Sequence, residues 1–179
     1  MSLPAWLAGL SLLPAMMCAQ ASCAEASTVW LDVPFVKQEA NGCGAAAIAM
    51  LMRYWSREDA DPQKIYHALY SREAHGIRGG DVERFLRAGG FQTFVFRGEW
   101  QDLEQHLAKG RPLIVCLHPQ GRAGPLHYVV VAGVDTLQNV VLINDPARRK
   151  LMKVERGMFE KDWTAAGRWT LLAVPQLPR

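Results

Sequence analysis

Charge of one sign is not in excess in this chain, where 20 Lys and Arg stand against 17 Asp and Glu over 179 residues. A net charge of +3 argues against a nucleic-acid partner, and the basic cluster of Arg148, Arg149, Lys150, Lys153 and Arg156 is local enough to be a solvated face. No glycine loop followed by its Lys is present, which excludes a phosphate-binding site of that kind. Among His67, His75, His106 and His118 no pair has metal-ligand spacing with a cysteine or carboxylate, so no metal or other cofactor is implied. Repeats, low-complexity tracts and linkers are absent, and 50% hydrophobic and 21% charged residues fit one globular domain.

Residues Leu3 to Met17 are almost uninterrupted apolar sequence, followed by small residues that offer a signal peptidase site at Ala19-Gln20-Ala21 or Ala24-Glu25-Ala26. The run is short for a transmembrane helix, and no later apolar segment is long enough to span a bilayer. No Lys or Arg precedes it, yet the segment reads as a signal peptide over residues 1–26, with an exported domain over 27–179. The alternatives are an uncleaved N-terminal anchor and lipidation at Cys23, although Gln20 sits where a lipidation box carries an aliphatic residue. Cleavage after Ala26 removes Cys18, Cys23 and the charge of Glu25. Of the two cysteines left, Cys116 lies in the apolar run PLIVCL and reads as core, and Cys43 reads as a free thiol.

The pattern changes character midway. Residues 28–35 (TVWLDVPF) read as an entry strand, followed by a helix from just after Cys43 to about Trp55, a second over Pro62 to Tyr70 capped by Asp61, and a third over Asp81 to Ala88. From Phe91 strands dominate: FQTFVF, PLIVCL, HYVVVAGV, NVVLIND and WTLLAV, with short helices over Glu99 to Ala108 and Glu155 to Trp163. The short connection DTLQ predicts a hairpin that pairs His127–Val134 with Asn139–Asp145. A helical half packed on an antiparallel sheet is an α+β plan, with a site expected between the two.

Cys43 stands between Gly42 and Gly44 at the start of an Ala-rich helix. A helix N-terminus carries partial positive charge and unpaired N–H groups, which lower a thiol pKa and stabilise an oxyanion. A buried cysteine in a core helix fits the same local signals. His127 opens one hairpin strand and Asp145 closes the next, so both fall at one edge, where a carboxylate can orient an imidazole. An edge histidine and a turn-forming aspartate ahead of Pro146 is the competing reading of those two. Gln38, five positions before Cys43, is a candidate side-chain oxyanion donor beside the Cys43 backbone N–H. His118, near the His127 strand, is a residue able to line the cleft.

These residues resemble the bacteriocin-processing, double-glycine-leader cysteine peptidases, a papain-like group, and their stand-alone secreted relatives. The similarity runs from VPFVKQEANGCGAAAIAM through LHYVVVAGVD and NDPA to FEKDW. The resemblance implies a papain-like fold, Cys43 as nucleophile, His127 as general base, Asp145 as orienting carboxylate and Gln38 as oxyanion donor. It also implies a peptide or protein substrate and, since transporter domains are not recognisable in this sequence, a protein that acts alone or with a separately encoded export system as partner. Two departures stand out: many members place the glutamine one residue further from the cysteine and an aspartate immediately before it, where this protein has Gly42. Transglutaminase-like or amidase acyl transfer uses the same residue types, and a non-catalytic peptide-binding cleft is the competitor from another class.

Overall fold

A computed structural model describes residues 28–119 and 125–176. The signal-peptide reading of residues 1–26 lies outside the described residues. In sequence order the elements are β1 (Thr28–Trp30), α1 (Cys43–Tyr54), α2 (Pro62–Leu69), α3 (Gly79–Ala88), β2 (Phe91–Arg97), α4 (Trp100–Ala108), β3 (Leu113–Leu117), β4 (His127–Asp135), β5 (Val140–Asn144), β6 (Met152–Glu155), α5 (Arg156–Ala165) and β7 (Trp169–Pro175). The strands form one antiparallel sheet in the order β2-β7-β3-β4-β5-β6, with β1 paired to the far end of β4. Among the described residues no helix is long and apolar enough to cross a membrane.

The α+β expectation of helices packed on an antiparallel sheet holds, with one addition: the sheet is covered on both faces. Along β3 and β4 alternate side chains enter two cores. Ile114, Cys116, Tyr128 and Val130 pack with α1, while Leu113, Val115, Val129 and Val131 pack with Leu103, Leu107, Phe159 and Trp163 of α4 and α5. Burial on both faces is why these strands read as unbroken apolar runs rather than alternating ones. The register shifts between Val131 and Gly133, where a β-carbon would come within 2.7 Å of the Val29 carbonyl oxygen; glycine there lets β1 close on β4.

Local chemistry accounts for most element ends. Asp61 caps α2 by accepting the Gln63 N–H at 2.8 Å, with Pro62 in the first turn. Glu99 and Asp102 form a capping box at α4. The expected entry strand over 28–35 is shorter, because the Val33 N–H turns back to the Leu31 carbonyl at 2.8 Å and Pro34 has no N–H to give. Helix α3 opens at Gly79 instead of Asp81. Strand β6, which was not expected, alternates half-buried and exposed side chains over four residues, too short for a periodic signal.

Candidate active site

The site grows from the start of α1. Asn41 adopts a left-handed φ of 57°, the Gly42 N–H closes a turn on the Glu39 carbonyl at 2.9 Å, and the helix then begins at Cys43 itself. Gly42 caps the helix with no side-chain hydrogen bond, so the N–H groups of the first turn are not consumed by a capping side chain. Gly44 is required by close approach, since a β-carbon there would lie 3.1 Å from Ile77 Cβ and 3.3 Å from Tyr128 Cδ2. That tight seat brings the head of α1 against the first residues of β4.

His127 is the first residue of β4, and its Nε2 lies 2.8 Å from Asp145 Oδ1. Both side chains are mostly buried, 18% and 8% exposed, so water screens the contact weakly. With Nε2 engaged, Nδ1 is the ring nitrogen left for the Cys43 thiol, whose pKa is lowered by His127. Asp145 follows the last residue of β5, and Val130 pairs with Asn144, which sets the start of β4 and the end of β5 at one edge as the hairpin reading expected. The turn reading of Asp145 is also correct, because Oδ1 accepts the Ala147 N–H at 2.9 Å.

The charges of the three groups are interlocked. Burial by itself raises the Cys43 pKa, but the hydrogen bond to His127, the backbone N–H groups of Tyr128 and Gly44, and the imidazolium charge bring it below the ordinary thiol value. Burial alone would lower the His127 pKa; hydrogen bonds to Asp145 and Cys43 and their negative charge instead raise it to about 9. Asp145 is opposed by burial and yet held below the usual carboxylate range by His127, by the Ala147 N–H and by Arg148. Both the lowered Cys43 and the raised His127 run in the direction of a thiolate beside an imidazolium. Cys116, buried in β3 as read, is a free thiol pushed up to about 12 by burial and by the nearby Cys43.

Gln38 is placed differently from the other three. Its N–H donates to the Pro146 carbonyl at 2.9 Å, tying the segment before α1 to the turn after Asp145, while its side-chain Oε1 is buried with no hydrogen-bond partner among the described residues. Beyond the same segment, between α1 and α2, a pocket of about 450 Å³ is lined by Gln38, Glu39, Gly42, Asp61, Tyr66 and His67. His118, just beyond β3, bonds through its N–H to the Asp162 carbonyl of α5 at 2.9 Å. Among the described residues no three His, Cys, Asp or Glu side chains are grouped to hold a metal ion.

The model of the Peptidase_C39 like family matches residues 30–171, a span that includes every element of this site. This chain belongs to that family. Among solved structures, a putative C39-like peptidase from Bacillus anthracis superposes with a TM-score of 0.69 at 19% identity, covering 85% of this chain and 100% of that one. The peptidase domain of Streptococcus ComA, a bi-functional ABC transporter involved in quorum sensing, gives 0.66 at 20% identity, covering 80% and 99%. A double glycine motif protease from an AMS/PCAT transporter, solved in complex with the leader peptide, gives 0.67 at 23% identity, covering 83% and 95%. At these identities the structural matches show a shared fold. No curated protein matches the chain.

Two contributors to this C39-like site escaped the sequence reading. Asn144, fully buried at the end of β5, donates from Nδ2 to the Val33 carbonyl at 3.1 Å and accepts the Leu151 N–H at 2.9 Å, pinning the backbone on both sides of the Asp145 turn. An amide at the end of an apolar strand was the available signal, since a buried amide must find partners. The Tyr128 N–H that helps lower the Cys43 pKa is a main-chain group, and no residue type advertises it.

Proposed function

We propose that this C39-like protein is a cysteine peptidase in which Cys43 is the nucleophile, His127 the general acid and base, and Asp145 the orienting carboxylate. The reading is carried by one observation: His127 Nε2 lies 2.8 Å from Asp145 Oδ1, and the helix-start thiol of Cys43 has its pKa lowered by the same imidazole. The thiolate attacks a peptide carbonyl carbon, and the oxyanion develops at the α1 N-terminus, where the Cys43 N–H and the Gln38 side-chain amide are the proposed donors. Imidazolium gives its proton to the leaving amine as the C–N bond breaks. Water then attacks the thioester, His127 takes a proton from it, and the thiolate departs from the acid product.

Double-glycine leader peptides are the substrate class to test first, since one neighbour of the same fold is described as a double glycine motif protease bound to a leader peptide. We place residues 1–26 as an export signal and the peptidase domain over 27–179, working beside a separately encoded export system; the apolar run Leu3–Met17 supports this. The N-terminal sequence of the protein recovered from its own cell envelope tests the export reading, and an intact residue 1 on soluble cytoplasmic protein would overturn it. Incubation with double-glycine peptides tests the activity. Cleavage that disappears in Cys43→Ala while the circular dichroism spectrum is retained is the expected result; a Cys43→Ala protein that still cleaves overturns the assignment. Transfer of the acyl group to an added amine in preference to water would move the reaction to the transglutaminase class.

A further inference from the structure

The basic cluster at 148–156 divides in the fold. Lys150 pairs with Asp32, Lys153 Nζ donates to Gln138 Oε1 at 2.9 Å, and Arg156 lies 4.3 Å over the Trp100 ring and beside Glu160. Arg148 and Arg149 are left on the turn that follows Asp145, a turn closed by the Asp145 N–H on the Arg149 carbonyl at 3.1 Å and the Arg148 N–H on the Asp145 carbonyl at 2.9 Å. The Arg148 side chain is 71% exposed and its Nε is 3.7 Å from Asp145 Oδ2, so part of its charge is spent on the carboxylate. Arg149 is exposed and has no carboxylate partner among the described residues. Lys37, also exposed, lines the pocket between α1 and α2 beside Glu39 and Asp61, away from this turn. Arg148 and Arg149 therefore add positive charge to the turn that holds the imidazole, and Asp145 offsets only part of it.

The chemistry sets which part of a substrate passes there. His127 must deliver its proton to the leaving amine, so the substrate segment that follows the scissile bond departs across the imidazole, and the wall beyond the imidazole is the Asp145–Arg149 turn. We propose that Arg148 and Arg149 make this site select acidic side chains in the first residues C-terminal to the scissile bond. The inference rests on the peptidase reading above and adds a preference on the leaving side of the bond. Exposed charges of this kind contribute about 0.2–1 kcal/mol each, roughly a 1.4- to 5-fold change in kcat/KM.

Digestion of a proteome-derived peptide library by the full-length protein, with the products sequenced by mass spectrometry, tests the preference whatever the natural substrate is. The expected profile is enriched in Asp and Glu and depleted in Lys and Arg at the first three positions after the cut. Arg149→Gln should reduce the acidic-over-neutral ratio about 1.4- to 5-fold, and salt should reduce it further. Lys153→Gln makes the same change in net charge away from the turn and should leave the ratio in place. A flat profile on the leaving side, or an equal effect of Lys153→Gln, overturns the inference while cleavage itself upholds the peptidase reading. No cleavage of any peptide removes both.

Discussion

His127 Nε2 and Asp145 Oδ1 lie 2.8 Å apart, and the same carboxylate oxygen accepts the Ala147 N–H at 2.9 Å. One oxygen thus fixes both the imidazole and the turn, so the ring position is set by backbone as well as by side chain. With Nε2 held this way, the ring can offer only Nδ1 to the thiol. Asp145→Asn keeps the shape and removes the charge that supports imidazolium. The expected result is a kcat lower by about 10²–10⁴-fold with KM little changed, because an asparagine can hold the wrong tautomer. An Asp145→Asn protein with full activity would show that the contact is structural.

The pH profile follows from the two shifted groups. In the proposed mechanism the reaction needs the Cys43 thiolate, whose pKa is lowered, and the His127 proton, which is held up to about 9. Activity should therefore rise on an acid limb below the ordinary thiol range and fall on an alkaline limb near pH 9. Since Asp145 is the first hydrogen-bond partner that raises His127, Asp145→Asn should move the alkaline limb to lower pH. A profile that instead climbs through about pH 8.5 is that of an unassisted thiol.

Stability should depend on pH through the same pair. His127 has a raised folded pKa, so its contribution is fully present below the unfolded value of about 6.5 and is lost as pH rises through about 9. Asp145 has a lowered folded pKa, so its contribution is present above about 3.9 and is lost as pH falls through the folded value. Urea unfolding of native and Asp145→Asn proteins should differ most between about pH 4 and 6.5, by about 1–3 kcal/mol, and converge toward pH 10. A difference that is constant with pH contradicts the coupling.

Gly44→Ala tests the seat of the helix. The new methyl would stand 3.1 Å from Ile77 Cβ and 3.3 Å from Tyr128 Cδ2, both on buried residues, so the head of α1 is expected to shift by a few tenths of an ångström. A loss of about 1–3 kcal/mol in thermal or urea unfolding is expected, and Ile77→Ala in the same protein should recover part of it. Turnover should fall with the displacement of Cys43 even where the protein remains folded.

Sequence patterns went far here, for identifiable reasons. The helix starts at Asp61 and Glu99 and the apolar strands β3, β4 and β5 were legible because capping residues and two-sided burial leave strong local marks. The adjacency of His127 and Asp145 was legible because a short hairpin connection fixes which strand ends meet. What stayed hidden depends on contacts distant in sequence. Asn144 reaches Val33 across 111 positions, and the Tyr128 N–H acts on the Cys43 pKa only after the helical layer docks on the sheet. Strand β6 was hidden because its pairing with β5, not its own pattern, makes it a strand.

The central claim is that Cys43 is a thiolate held by His127 in the native protein at neutral pH. Its most direct measurement is the alkylation rate of Cys43 by iodoacetamide as a function of pH, with the labelled residue identified by mass spectrometry. The account predicts labelling of Cys43 that is already fast at neutral pH and flat through about pH 8.5, with Cys116, pushed up to about 12, left unlabelled in the folded protein. In His127→Asn the labelling should slow at neutral pH and rise instead like an ordinary thiol. A Cys43 rate in the native protein that rises only around pH 8.5, unchanged by His127→Asn, would contradict the account.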